Sequence, residues 1–431
     1  MSELPEGWKA VPLRHITSKI GSGATPRGGK NAYHSKGTPL IRSMNVHFRG
    51  VVLDGLVFLD PAQSAELSNV IVEPNDVLLN ITGASIGRVA IAPTWAGGSR
   101  VNQHVSIIRP TNEVESRFLC AWLASPKVQD FIHAENYGVT RQALTKGMIE
   151  DFQIPLPSLA EQGRIVEKLD SLNAQSTTAA AALTQIETLI TRYKAAVLAA
   201  AFAKPGIGAN PSKLGHVITG IKAGKNLRCV ERPPEVDERG VVKVSAVTYG
   251  VFDPTQSKTL PDDFEPGADT LIQSGDFLFS RANTIELVGA CTIVDTAPGN
   301  LYLSDKILRL DMPDERKAWV DLFLKSPTGR AALEEASSGN QHSMRNISQK
   351  ALMEIVIPLP PLEEQAEIVA QIEAAFAQIE TLARATAAAR AALVQLDRAL
   401  LTRAFQGKLV PQNPNTEPAS DLLKRMKEAV F

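Results

Sequence analysis

Small and apolar residues recur every three or four positions along two long stretches of this chain. Between Leu159 and Phe202 they fall at Leu169, Leu172, Ser176, Ala179, Leu183, Ile186, Ile190, Tyr193 and Val197. The same pattern 203 residues later gives Ile372, Ala375, Ile379, Leu382, Thr386, Ala389, Leu393, Leu396 and Leu400. Such spacing over several turns predicts a narrow heptad seam, not the broader stripe of a helix lying on a globule. Alanine runs, Ala179 to Ala182 and Ala387 to Ala389, favour helix and let two backbones approach closely. A helix of ~45 residues rises roughly 65–70 Å at 1.5 Å per residue. A rod of that length outreaches one domain, so it needs a partner beyond its own globule, and the other rod is the simplest one. The competing reading is a long core helix in each domain. The narrow seam favours pairing as an antiparallel coiled coil, with a globule at either end about a pseudo-twofold axis.

Each stretch opens on nearly the same nine residues. Ile154-Pro155-Leu156-Pro157-Ser158-Leu159-Ala160-Glu161-Gln162 returns as Ile357-Pro358-Leu359-Pro360-Pro361-Leu362-Glu363-Glu364-Gln365, identical at 7 of 9 positions. Each closes on a matched pair, Ala201-Phe202 and Ala404-Phe405. A duplication of about two hundred residues far exceeds a solenoid repeat and implies two whole domains. The expected organisation is a first globular domain at 1–157, a first spacer helix at 158–204 and a Pro/Gly linker at 205–211. A second globular domain follows at 212–360, then a second spacer helix at 361–406 and a tail at 407–431.

Both globules alternate short β-branched runs with turns. Pro39–Arg42, Asp76–Asn80 and Val105–Ile108 in the first match Val241–Val244, Asp276–Ser280 and Lys306–Leu310 in the second. Helical segments near Phe118–His133 and Trp319–Ala336 each carry a Ser-Pro, at Ser125-Pro126 and Ser326-Pro327. The fold class is therefore α+β. The loops diverge: Gly83–Gly87 stands opposite Arg281–Glu286, and Gly138–Gln142 opposite Gly339–Asn346. A common framework with unlike polar loops is what two readers of different targets would show.

Charge narrows the partners. Lys and Arg total 45 against 46 Asp and Glu, a net charge of −1, so nucleic acid could be held only by local patches. Between Gly7 and Asp54 there is no acidic residue, while Lys9, Arg14, Lys19, Arg27, Lys30, Lys36, Arg42 and Arg49 fall there with His15, His34 and His47. The glycine-rich loop Gly21–Asn31 would let backbone N–H groups approach an anion. Gly220–Arg228 echoes it more weakly, with Glu231, Glu235 and Asp237 following. Phosphate contacts of this kind position a protein on DNA, whereas Arg, Asn, Gln, Ser and Thr read base edges. A solvated basic face is the bland alternative. The three cysteines form no C-x-x-C pair, which fits a reducing cytoplasm. The N-terminus has no basic and apolar regions of a signal peptide, and no apolar run reaches the ~20 residues of a membrane span. A soluble, cytoplasmic protein is expected.

The duplicated Ile-Pro-Leu-Pro-x-Leu-x-Glu-Gln ahead of a long helix resembles the DNA-specificity (S) subunits of Type I restriction–modification systems. So do Ser22-Gly23-Ala24-Thr25-Pro26, Gly37-Thr38-Pro39-Leu40-Ile41-Arg42-Ser43, Asp76-Val77-Leu78 and Phe405-Gln406-Gly407-Lys408-Leu409-Val410-Pro411. The resemblance spans essentially the whole chain. It implies two target-recognition domains, each reading one half of a bipartite, asymmetric double-stranded DNA site. The helices would act as spacer and as dock for two modification (methyltransferase) subunits, and a restriction/translocase subunit can join them. The S subunit of this family is not catalytic. It holds no cofactor of its own and aims an adenine-N6 methyltransferase that uses S-adenosylmethionine; ATP and Mg²⁺ belong to a restriction subunit where one is present. The second domain departs from the pattern in lacking a Ser-Gly-x-Thr-Pro loop.

Enzymatic readings find little support in the residues. The Asn/Asp-Pro-Pro-aromatic signature of an amino-methyltransferase is approached only by Arg232-Pro233-Pro234-Glu235, with arginine where the acceptor belongs. Asp295 followed by Glu315-Arg316-Lys317 is a chance-level match to a nuclease, and the first copy has nothing similar near Thr111 to Ser116. Gly29-Lys30 lacks the first glycine and the Ser/Thr of a P-loop, and the seven histidines show no paired metal spacing. Loop position and donor chemistry nominate Arg27, Lys30, Arg42, Asn45, Ser85, Gln103, Arg141 and Gln142 as DNA-contacting in the first domain. In the second they nominate Lys225, Arg228, Thr248, Arg281, Asn283, Lys306, His342 and Arg345. The competing class is a coiled-coil protein–protein adaptor that does not bind nucleic acid.

Overall fold

The computed structural model describes residues 4–26, 32–135, 143–204, 207, 211–341, 344–413 and 417–428. The first copy runs β1 (Lys9–Pro12), β2 (Thr17–Ser22), β3 (Thr38–Ile41), β4 (Val46–His47), β5 (Gly50–Val51), β6 (Val57–Leu59), α1 (Pro61–Glu66), β7 (Val77–Asn80), β8 (Val89–Ile91), β9 (Arg100–Val101) and β10 (Val105–Pro110). It then adds α2 (Ser116–Leu123), α3 (Pro126–Glu135), α4 (Lys146–Glu150) and β11 (Gln153–Leu156), and the first long helix is α5 (Leu159–Phe202). The second copy begins with β12 (Pro211–Lys213), β13 (Gly220–Ala223), β14 (Gly240–Val242), β15 (Ser257–Thr259), β16 (Phe277–Ser280), β17 (Ala282–Asn283), β18 (Cys291–Ile293), β19 (Leu301–Tyr302) and β20 (Ile307–Asp311). It continues through α6 (Asp314–Lys325), α7 (Pro327–Ala336), β21 (Ser338–Gln341), β22 (Met344–Asn346), α8 (Gln349–Glu354) and β23 (Val356–Pro358). The chain ends on the long α9 (Leu362–Ala404) and α10 (Ala419–Glu428).

Two compact units result, Met1–Leu183 with Ala388–Phe431, and Thr184–Ala387. Each contains one copy and a stretch of both long helices. Inside each copy the main sheets share one topology. A four-stranded sheet β2-β10-β7-β8 is matched by β13-β20-β16-β18, and a three-stranded sheet β6-β3-β9 by β15-β14-β19. In both three-stranded sheets the last pair is parallel. The repeated Ile-Pro-Leu-Pro forms an edge strand, β11 on β1 and β23 on β12. Its glutamine then braces the turn into the long helix: Gln162 Nε2 donates to the Pro157 carbonyl at 3.2 Å and Gln365 Nε2 to that of Pro360 at 2.6 Å. The repeated motif is a strand-to-helix joint.

The Ser-Pro dipeptides divide each expected helical segment into two helices, α2 and α3, α6 and α7. Proline cannot donate to the preceding turn, but it suits the first position of a new helix. Ser326 caps that helix, its Oγ accepting from the Gly329 N–H at 3.1 Å. Glycine is required at one equivalent place in each copy. A Cβ on Gly23 would overlap the Val101 carbonyl oxygen, and one on Gly224 that of Leu303. Gly23 N–H also donates to the Asn102 carbonyl at 3.2 Å. That glycine serves a close backbone crossing, and its N–H is not free for an anion as the sequence suggested.

The long helices run antiparallel where they meet within each unit. In the first, Ser176 Oγ donates to Asp397 Oδ1 at 2.7 Å, and Leu169 shares a core with Ala404. In the second, Lys194 pairs with Glu380 at 3.7 Å, Lys204 Nζ donates to Gln371 Oε1 at 2.8 Å, and Leu198 and Ala201 pack with Ile368 and Ile372. Matched phenylalanines pin the helix ends to their globules. Phe405 lies 5.2 Å from Phe118 between ring centroids and Phe202 lies 4.9 Å from Trp319; such pairs contribute about 0.5–1.5 kcal/mol beyond area burial.

One half of the expected seam is displaced by a residue. Leu169, Ser176, Leu183, Ile190 and Val197 face inward, as do Ile372, Ile379, Thr386, Leu393 and Leu400. Leu172, Ile186 and Ala375 are half-buried, but Ala179, Tyr193, Leu382, Ala389 and Leu396 are exposed. Their C-terminal neighbours Ala180, Lys194, Ala383, Arg390 and Asp397 are less exposed. The second seam series is small or polar, and a polar seam position fixes register at some cost in stability.

Candidate nucleic-acid interface

In each four-stranded sheet the register brings several strand ends to one edge. Asn80 ends β7 opposite Val105, which begins β10, and Ser22 ends β2 opposite Ser106. Ser280, Ile307 and Ala223 are placed in the same way in the second copy. Loops leaving this edge therefore converge: 23–26, 81–88 and 102–104 in one copy, 224–228, 281–290 and 303–306 in the other. At the opposite end of the same strands lies a shared brace. Asp76 is buried, receiving Arg109 Nε at 2.6 Å and Arg109 Nη2 at 2.8 Å, and its Oδ2 also accepts from the Glu73 N–H at 2.7 Å. Arg309 Nη1 meets Asp276 at 3.4 Å, and the Gln273 N–H donates to the same carboxylate at 2.8 Å. The hydrogen bonds to Asp76 hold the Arg109 guanidinium even more firmly protonated than usual. Burial, then Arg109, lowers the Lys19 ammonium.

Among the described residues the first copy's edge carries one cation, the half-buried Arg88, beside a set of polar side chains. Gln103, exposed, accepts from Thr25 Oγ1 and has its Nε2 3.1 Å from His104 Nε2; His104 Nδ1 in turn meets Thr82 Oγ1. Asn80 Nδ2 donates to Ser85 Oγ at 3.1 Å and to the Ser43 carbonyl at 2.8 Å. Ser85 and Gln103 therefore belong to two separate hydrogen-bonded sets, one built on Asn80 and one on His104. Thr25, Asn80, Thr82 and His104, which the sequence did not single out, complete them. The signal that would have found them was position: polar residues flanking the ends of β7 and β10.

The second copy's edge is cationic. Lys225, Arg228 and Lys306 are exposed, with Lys225 Nζ 5.9 Å from the Phe264 ring centroid. Arg281 is half-buried, its Nε 3.3 Å from Asn346 Oδ1. Asn283 Oδ1 accepts from the Thr284 N–H at 2.9 Å, and Thr248 Oγ1 donates to the Val244 carbonyl at 3.0 Å.

Three nominated residues have structural duties instead. Asn45 is fully buried: its Oδ1 accepts from the Arg42 N–H and its Nδ2 donates to the carbonyls of Val52 and Asp54 at 3.1 and 3.0 Å. It cannot reach a base without breaking that turn. Arg42 Nη2 donates to the Gly55 carbonyl at 2.6 Å, with the guanidinium 5.3 Å from the Tyr33 ring centroid. Arg345 clamps the β21–β22 hairpin through Ser337 Oγ, the Ser337 carbonyl and the Gly339 carbonyl at 3.0, 2.7 and 2.7 Å. Arg27, Lys30, Arg141, Gln142 and His342 lie outside the described residues. The acid-free run of the first copy is no single patch, because Arg14 pairs with Asp151, Lys19 lies in a sheet strand beside Arg109, and His34 meets Asp60 at 3.7 Å.

The sequence profile of the family described as Type I restriction modification DNA specificity domain matches residues 5–188 and 248–388, well over half of the chain. The chain belongs to this family. It is 27% identical over 466 aligned residues to the Type I restriction enzyme EcoKI specificity subunit of Escherichia coli K12, covering 99% of this chain and 96% of that protein. It is 24% identical to the StySPI specificity subunit of Salmonella potsdam, with 99% and 96% covered. Among solved structures, a chain from work on complex assembly and conformational transition of the type I R-M system superposes with a TM-score of 0.69 at 22% identity, covering 95% of this chain and 100% of that one. The HsdS subunit from Thermoanaerobacter tengcongensis gives 0.53 at 23% identity, covering 94% and 98%. These structures share the fold: two α+β domains and long helices. Family membership favours DNA recognition over a coiled-coil adaptor without nucleic acid. No described helix is long and apolar enough to cross a membrane.

Proposed function

We propose that this chain is the specificity subunit of a cytoplasmic Type I restriction–modification complex and reads a bipartite, asymmetric duplex site, one half with each copy. The observation that carries the reading is a common sheet-edge framework bearing unlike loops, hydrogen-bonded polar side chains in one copy and a set richer in exposed cations in the other. Readers that share a scaffold but differ in donor chemistry suit two different half-sites. The chain supplies no chemistry of its own. It directs adenine-N6 methylation by two methyltransferase subunits that hold S-adenosylmethionine, and cleavage where a restriction subunit with ATP and Mg²⁺ joins.

The arms serve as ruler and dock. Leu189, Tyr193, Leu382, Val394 and Leu396 stand on the long helices at 49–59% exposure, which is apolar surface suited to the methyltransferase subunits. Deleting one heptad at equivalent places in α5 and α9 removes about 10 Å of rise. Methylome mapping of a host carrying that variant should then show the gap shortened by about three base pairs, at ~3.4 Å per pair, with both half-sites unchanged in sequence. An unaltered gap overturns the ruler, and a methylome that is the same with and without the chain overturns the function.

A further inference from the structure

Each copy also presents an aromatic side chain to solvent at the same place, in a turn a few residues past β3 in one copy and β14 in the other. Phe48 occupies the two-residue turn between β4 and β5 and is 55% exposed. Tyr249, 201 positions later, lies in the turn closed by Gly250 N–H on the Val247 carbonyl at 3.3 Å and is 85% exposed. The copies differ in nearly every other loop, so an uncovered aromatic at both tips is the exception. Both tips are stiff. Asn45, Val52 and the Arg42 guanidinium cross-link the first. In the second, the Gly250 carbonyl accepts from Thr292 Oγ1 at 3.1 Å and Lys325 Nζ at 3.4 Å, and the Asp253 N–H donates to the Ala246 carbonyl at 2.9 Å.

Each tip is also joined to the sheet edge. The Ser43 carbonyl ahead of Phe48 is held by Asn80, and Tyr249 shares a cleft with Glu286, Leu287, Gly289 and Ala290 of the 281–290 loop. Exposed Arg49 stands beside Phe48, while the cleft at Tyr249 holds Glu286 and Lys325, the latter paired with Asp321 at 2.6 Å. A rigid, solvent-facing aromatic suits a partner built of stacked flat rings. We infer that Phe48 and Tyr249 insert against one base step in each half-site, as apolar wedges do when they partly unstack a duplex. A pre-ordered ring with two side-chain torsions gives up little entropy on contact.

The inference rests on the DNA reading proposed above, and the test separates the two. The chain assembled with its methyltransferase partner is titrated onto a duplex carrying the mapped site. Phe48→Ala and Tyr249→Ala should each weaken binding roughly tenfold or more, the loss of one aromatic–base stack. The salt slope should stay unchanged, because no phosphate contact is removed. Phe48→Trp and Tyr249→Phe should retain affinity. A 2-aminopurine probe walked through each half-site should lose its binding-induced signal at one step in the alanine variant. Unchanged affinity in both alanine variants, with the parent still binding its site, overturns this inference alone. Weaker assembly with the methyltransferase also overturns it, by making the tips a protein contact. A parent complex with no site preference overturns the DNA reading and this inference together.

Discussion

The two copies agree where the chain bears load and part company where it meets solvent. Both keep an aspartate–arginine brace at the far end of the four-stranded sheet, a glycine at the same backbone crossing, a Ser-Pro between paired helices and a glutamine at the strand-to-helix joint. At the other end of those strands, the first copy carries a hydrogen-bonded chain through Thr25, Gln103, His104 and Thr82, while the second exposes Lys225, Arg228 and Lys306. The interiors differ at one point as well. Cys291 Sγ lies 3.5 Å from Asp321, which pairs with Lys325 at 2.6 Å, and burial raises the Asp321 carboxyl. Val89, Cys120 and Ala124 occupy the corresponding elements of the first copy. Duplication kept the parts that determine whether the fold forms and released those that determine what it touches.

The strongest way to break this comparison is to attack the shared brace. Asp76→Ala leaves the Arg109 guanidinium without its buried partner and should cost about 3–5 kcal/mol. Asp276→Ala should cost visibly less, because Arg309 approaches its carboxylate only at 3.4 Å and keeps the Leu271 and Asp269 carbonyls. Thermal unfolding of the full chain measures both, and equal losses would mean the braces are not graded by burial. The loops should respond in kind rather than in amount. Lys306→Ala and Arg228→Ala should weaken binding evenly across sequences and lower the log–log salt slope by about one each. Gln103→Ala should relax discrimination at one base pair and leave the slope alone, costing about 1–3 kcal/mol there. A slope change for Gln103→Ala would erase the distinction between a hydrogen-bonding edge and a cation-rich one.

The smallest effect concerns the ion pairs peculiar to the second copy. Arg232 holds the Glu238 carboxyl down at about 2, chiefly by its hydrogen bonds. A carboxyl lowered on folding contributes stability that is present above its unfolded value and lost as pH falls through the folded one. Parent and Arg232→Gln should therefore differ at neutral pH and converge as pH drops from about 4.5 toward 2. A gap that widens on acidification would place the stabilisation elsewhere.

Much of this was legible in the residues alone. The duplication, the long helices and the core strands Val77–Asn80 and Phe277–Ser280 follow from local periodicity and β-branched runs, which act within a few residues. Facing directions did not. A seven-residue repeat permits a second seam line at i+3 or i+4, and leucine, leucine and tyrosine at 382, 396 and 193 argued for the first. The opposing helix decided for Ala383, Asp397 and Lys194, since its own backbone and Ser176 stand there. The acid-free run likewise looked like a patch until β-pairing sent Lys19 to Arg109 and folding sent Arg14 to Asp151. Asn45 looked like a reader until its amide was consumed by Val52 and Asp54. Local sequence fixes which element forms; which face of it meets water depends on neighbours brought from far along the chain, and those arrive only with the tertiary structure.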